Sequence, residues 1–135
     1  MARGYTTQMD AARKGVLTRE MEIVAKKECM AADTLMRFVA DGKVAICANR
    51  NHACLNPEGV GSMLRTKINV NLGVSRDCAD YDMEMEKVMR AVDLGAEAIM
   101  DLSSHGDTRP FRQKLVRECP AMIGTVPVYD SVIHH

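Results

Sequence analysis

Three short apolar runs recur along the second half of the chain at one interval. Aligned by their ends, "NVNLG", "AIMDL" and "VPVYD" place Asn71, Met100 and Tyr129 29 residues apart. The segments between them have helical periodicity. From Tyr81 to Leu94, Met85, Val88, Met89 and Val92 fall at i, i+3, i+4 and i+7, and Gly95 supplies a stop. In "TRPFRQKLVREC", Thr108 can cap a helix, Pro110 suits its first turn, and Phe111, Leu115 and Cys119 share one face. A strand, a helix and a strand joined by right-handed crossovers make a parallel sheet, and repeated units of one length are how a (β/α)8 barrel is built. The expected fold class is therefore α/β, a partial (β/α)8 TIM-type barrel made of its first βα units and preceded by N-terminal helices. In such barrels the reacting groups lie at the C-terminal ends of strands. Asn71, Met100, Asp101 and Tyr129 occupy that zone.

The first strand has two faces. In "TKINVNLG", Ile68, Val70 and Leu72 alternate with Lys67, Asn69 and Asn71. Asn is uncommon in strands and its amide requires partners, so the polar face either meets water or lines a polar cavity.

The rest of the chain divides at about residue 42. Residues 1–42 read as packing helices: "TREMEIVAKKECM" spaces Met21, Val24 and Ala25 helically, and "DTLMRFVADG" runs from Asp33 to Gly42. Residues 43–135 form the βα part, in which "VAICAN" is an additional short strand and "RNHACLNPEGVGSMLR" a long loop. A closed barrel needs roughly 250 residues and eight strands, whereas these elements supply three βα strands and the "VAICAN" strand. The reading is of an incomplete barrel with open edges, which points to a longer parent or a homo-oligomer.

Charge and cysteine content exclude several function classes. Eighteen basic residues balance eighteen acidic ones, so no long-range field favours nucleic acid or an anionic membrane. Five Cys at irregular spacing, no apolar run of membrane-spanning length and no signal-peptide segment fit a cytoplasmic setting. Cys47, His52 and Cys54 lack the paired spacing of a structural zinc module, so no metal site is expected here. No Gly-rich loop has Walker or dinucleotide spacing. The terminal His134-His135 is either native or a purification tag.

"TTQMDAARKG", "TREMEIVAKKE", "ICANRNH", "LRTKINVNLG", "AIMDLSSHGD" and "GTVPVYD" occur in an order that resembles the N-terminal part of the ThiC-like radical S-adenosylmethionine family, which contains phosphomethylpyrimidine synthase and 5-hydroxybenzimidazole synthase. The resemblance implies a carbon–carbon lyase acting on 5-aminoimidazole ribotide, with a [4Fe–4S] cluster, S-adenosylmethionine and zinc in the full-length parent. It also implies that Asn71, Met100 and Tyr129 match the family's ribotide-binding Asn, Met and Tyr. An amide can donate and accept, a phenol can bind phosphate, and a thioether can cover a ring face; ordinary packing is the competing reading for Met100. His105, directly after the second strand, is a further candidate as phosphate donor or proton shuttle, against a solvated loop His.

The family's C-x-x-C-x-x-x-x-C cluster motif does not occur in these 135 residues, so no catalytic residue is assigned, no cofactor is expected on this chain by itself, and the chain alone is expected to be inert. Ser104-His105-Gly106 replaces the Thr-Gly-Gly usual in pyrimidine synthases. That substitution favours the 5-hydroxybenzimidazole branch of cobalamin lower-ligand synthesis, with phosphomethylpyrimidine synthase of thiamine synthesis as the alternative. A reading of another class is a naturally short, non-catalytic protein that binds a ribotide or oligomerises. "ANRNH" and "ACLNPEGVG" depart from the family's usual pattern and leave the roles of Asn49, His52 and Cys54 open.

Overall fold

The computed structural model describes residues 4–134, so His135 lies outside the described residues, as does the side chain of His134. The chain forms two compact units. One comprises the residues up to Asn49 together with Pro57–Thr66; the other comprises Arg50–Asn56 and the residues from Lys67 onward.

The first unit begins with three helices, α1 (Gln8–Arg13), α2 (Arg19–Lys27) and α3 (Ala32–Ala40). Thr7 and Thr18 start α1 and α2 by accepting hydrogen bonds from Asp10 N (3.0 Å) and Met21 N (3.2 Å), satisfying amides that have no partner within the helix. Met21, Val24, Leu35 and Val39 are fully or almost fully buried and pack with Val44 and Ile46. Each such side chain contributes about 1.5–3 kcal/mol relative to exposure. Val44 and Ile46 belong to β1 (Val44–Ile46), which pairs antiparallel with β2 (Gly59–Gly61). The "VAICAN" strand is therefore not a strand of the parallel sheet, which corrects the sequence reading. Its partner comes from the stretch read as loop, because Gly-Val-Gly carries little strand propensity and pairs only where tertiary context supplies a neighbour.

The second unit alternates strand and helix: β3 (Asn69–Leu72), α4 (Tyr81–Asp93), β4 (Ala98–Asp101), α5 (Arg109–Glu118), β5 (Met122–Thr125) and α6 (Pro127–His134). The strands are parallel in the order β3-β4-β5. Val70, Leu72, Ile99 and Ile123 pack with Met85 and Val88 of α4 and Phe111 and Leu115 of α5, so both helices cover one face of the sheet. The α/β class holds. The parallel sheet has three strands and does not close into a barrel among the described residues.

Register tests the 29-residue interval. Asn71 pairs with Met100, 29 residues on, but Met100 pairs with Gly124 rather than Tyr129. Tyr129 is not at a strand end: within "VPVYD", the residues from Pro127 onward lie in α6, which corrects the strand reading of "MIGTVPVYD". Pro127 explains the change. Proline has no N–H for a ladder, and its fixed φ suits the first turn of a helix.

Candidate functional site

The sheet has one face under helices and one that they leave uncovered. Because paired residues on parallel strands point the same way, Asn69, Asn71, Ala98, Met100, Met122 and Gly124 share the face away from the helices, on which Met122 is buried while Asn69 and Asn71 are exposed. Asn69 Nδ2 donates to Asn71 Oδ1 at 2.8 Å. The two exposed side chains thus pair along the strand as a polar shelf, with one amide donor and one amide acceptor engaged in that bond.

Met100 lies beside this shelf and is half-buried. Its side chain extends over Gly124: a Cβ at that position would come within 2.7 Å of Met100 Cε and 2.9 Å of Sδ. Gly124 therefore makes room for the thioether to lie flat across β5. The result is a row of Asn amide, thioether and bare backbone across three strands.

The loops after β3 and β4 are tied to each other. Asp101 is fully buried and accepts from Ser103 N (2.9 Å), while Val74 N donates to Ser103 Oγ (3.1 Å) and Gly73 N to Glu84 Oε2 (2.9 Å). The second Glu84 oxygen accepts from Lys87 Nζ at 2.6 Å, and that hydrogen bond holds the ammonium charged to higher pH than usual. Asn71, Gly73, Glu84 and Lys87 line a hollow of about 280 Å³ at the end of β3. A larger hollow of about 570 Å³ runs along β3 and α4, walled mainly by Ile68, Val70, Met83 and Leu94. Glu86, Lys87 and Arg90 of α4 also line it, but its surface is mostly apolar, whereas the smaller hollow brings the Asn71 amide beside the Glu84–Lys87 ion pair.

Behind the row, Arg112 of α5 donates from Nε to Asp101 (2.7 Å) and from Nη1 to Asp130 of α6. Burial works against the Arg112 charge, but the two carboxylates outweigh it and push its pKa up. Thr108 occupies the N-cap position of α5 without capping it; its hydroxyl donates to Asp130 at 3.2 Å. Together these bonds anchor the first turn of α6, the turn that carries Tyr129.

The structure brings Asn71 and Met100 together and places Tyr129 elsewhere. Tyr129 is 38% exposed on α6, beyond the end of β5. His105 is exposed in the loop after β4, where its backbone carbonyl accepts from Tyr81 Oη at 3.2 Å. Sequence reasoning named Asp101 at its strand end but missed its partners Ser103 and Arg112, and it missed Glu84 and Lys87. Glu84 and Lys87 are three apart on a helix, a spacing that signals an ion pair; the contacts of Asp101 with Arg112 depend on chain crossings that no local pattern reveals.

Among the described residues no three His, Cys, Asp or Glu side chains converge to hold a metal ion. His52 donates instead from Nε2 to Cys119 O at 2.6 Å. No helix among the described residues is long and apolar enough to cross a membrane.

The sequence profile of the radical SAM ThiC family matches residues 7–135. Phosphomethylpyrimidine synthase of Clostridium novyi (strain NT) is 64% identical over 128 residues, covering 95% of this chain and 29% of the relative. Phosphomethylpyrimidine synthases of Clostridium botulinum strains Okra and Hall give the same identity and coverage. The chain thus spans 29% of the length of these curated relatives. All three relatives bear the name of the pyrimidine-forming branch, which the sequence reading had kept as its alternative to the benzimidazole branch favoured by Ser104-His105-Gly106. By the extent of the profile match and of that identity, the chain belongs to the radical SAM ThiC family.

Proposed function

We propose that this chain supplies the first ribotide-binding strands of a phosphomethylpyrimidine synthase, within a radical SAM enzyme acting on 5-aminoimidazole ribotide. The observation that carries the reading is the Asn71–Met100 pair, adjacent in register on the face that α4 and α5 leave uncovered. In this reading the Asn71 amide donates to the ribotide, Met100 lies against the imidazole ring, and Tyr129 hydrogen bonds from α6. His105 completes the rim from the loop after β4. The sheet is the opening segment of a (β/α)8 barrel whose remaining strands lie in the longer protein.

The residues of this chain do not fit a [4Fe–4S] cluster or a zinc ion, since no three ligating side chains converge among the described residues. No chemical step is assigned to them. Their part is to bind and orient the ribotide, while the cluster, zinc and S-adenosylmethionine fall to the rest of the longer enzyme.

The test is a titration of 5-aminoimidazole ribotide into the chain carrying 13C-methyl methionine. The Met100 methyl signal should shift while that of Met63, which is 80% exposed on the other unit, stays still. Asn71→Ala should weaken the response at least tenfold. An unmoved Met100 signal would remove the sheet face from the site. For the branch, the complete enzyme reconstituted anaerobically should release a pyrimidine phosphate; release of 5-hydroxybenzimidazole would overturn the assignment.

A further inference from the structure

Two of the five cysteines meet at the C-terminal end of α5. The Cys54 thiol donates to the carbonyl oxygens of Cys119 (3.3 Å) and Val116 (3.8 Å), so its sulfur lies against the last turn of the helix. Cys119 is the C-cap of α5 and its side chain is fully buried. Two further hydrogen bonds hold the Cys54 segment there: His52 Nε2 donates to Cys119 O (2.6 Å) and Asn56 N to Pro120 O (2.9 Å). Cys29, Cys47 and Cys78 are exposed, and among the described residues none of them hydrogen bonds to another cysteine.

We propose that Cys54 and Cys119 are a reversible thiol switch, closing to a disulfide that fastens residues 50–56 to the turn entering β5. The partners are 65 positions apart in sequence, so the bond closes a long loop and restricts the unfolded chain accordingly. A low-molecular-weight disulfide of the glutathione type is the oxidant. The Cys54 thiolate attacks one of its sulfurs, forming a mixed disulfide and expelling one thiolate. The Cys119 thiolate then attacks the Cys54 sulfur, forming the protein disulfide and expelling the second. The pair loses two electrons and two protons, and the oxidant becomes two thiols.

The order of events follows from exposure. Cys54 is reachable, whereas burial pushes the Cys119 thiol up, an effect that persists once Cys54 is in the mixed disulfide and carries no charge. The closing step should therefore accelerate as pH rises.

The chain, purified reduced and held dilute with oxidised glutathione, tests this by intact mass and peptide mapping. The expected result is a monomer lighter by two hydrogens, with Cys54 joined to Cys119, a raised thermal midpoint and full reversal by dithiothreitol. Cys54→Ser and Cys119→Ala should each abolish the bond, and the surface position of Cys54 keeps the first variant folded. A chain with Cys29, Cys47 and Cys78 all replaced by Ser should still form it. A bond between other cysteines, or a stable Cys54–glutathione adduct that never closes, would overturn the proposal.

Discussion

Two glycines, Gly73 just past β3 and Gly124 on β5, show how one atom has different consequences in different surroundings. Gly73 has φ +144°, and a Cβ there would lie 2.5 Å from Ser103 N and 2.7 Å from Leu102 C, both backbone atoms of the interlocked loops. Nothing rigid on that scale gives way, so Gly73→Ala should destabilise by about 2–4 kcal/mol, read from the urea midpoint. At Gly124 the obstruction is the flexible end of Met100. Gly124→Ala should cost about 1 kcal/mol as the thioether swings aside, yet weaken ribotide binding as much as a substitution of Met100 itself. Tyr81 adds a pH dependence. Its phenol donates to the carbonyls of His105 (3.2 Å) and Asp107 (3.4 Å), and burial, reinforced by the charges of Asp101 and Asp107, raises its pKa above 10.0. A raised folded-state value means that this stabilisation is complete below the unfolded pKa and is lost as pH rises through the folded one. Tyrosinate absorbance should show one late-titrating tyrosine, absent in Tyr81→Phe, and that variant should lose less stability between pH 9 and 11 than the parent does.

Helices were legible from their apolar periodicity, even at α5, where Thr108 does not cap as expected. Of the α4 stripe, Met85 and Val88 are buried, Val92 is half-buried and Met89 is 38% exposed, which corrects the reading of all four as core; the α5 face buries Phe111, Leu115 and Cys119 as read. The repeat also matched Asn71 with its register partner Met100, because a parallel register preserves a constant offset between equivalent positions. It misplaced Tyr129 because β5 ends at Thr125 and Pro127 opens a helix, an event that an apolar run with alternating branched residues conceals. The Arg112 bridge was invisible for a different reason: its carboxylates lie 11 and 18 positions away on separate elements and meet only after the sheet forms. Its importance follows from burial. The Asp101 side chain has no exposure and that of Arg112 only 18%. Arg112→Met should therefore destabilise by about 3 kcal/mol, because removing one partner leaves Asp101 charged and uncompensated. Asp130 is 29% exposed, so Asp130→Asn should cost less in chemical denaturation while loosening α6, seen as faster amide exchange at Tyr129.

At the scale of the whole molecule, the buried apolar residues collect into two separate cores, and Val44 and Ile46, which the sequence reading put with the βα part, pack in the core of the N-terminal helices. Ala11, Met21, Val24, Leu35 and Val39 form one; Leu72, Val88, Ile99, Phe111 and Leu115 form the other. What composition could not reveal is the chain path, in which Arg50–Asn56 joins the second unit before Pro57–Thr66 returns to the first. Leu35 and Leu115 are each completely buried, one in each core. Replacing either with Ala removes comparable contact and leaves a cavity, at a cost of about 2–5 kcal/mol. If each core stabilises its own unit, native-state hydrogen exchange should record the loss locally: Leu35→Ala should lower protection in α2, α3 and β1, and Leu115→Ala in α5, β4 and β5. Equal loss of protection everywhere in both variants would mean that the two cores unfold as one cooperative body. Local loss would place the Asn71–Met100 shelf on a body whose stability is set by its own helices, so that Leu115→Ala, and not Leu35→Ala, should weaken the response of the Met100 methyl to the ribotide.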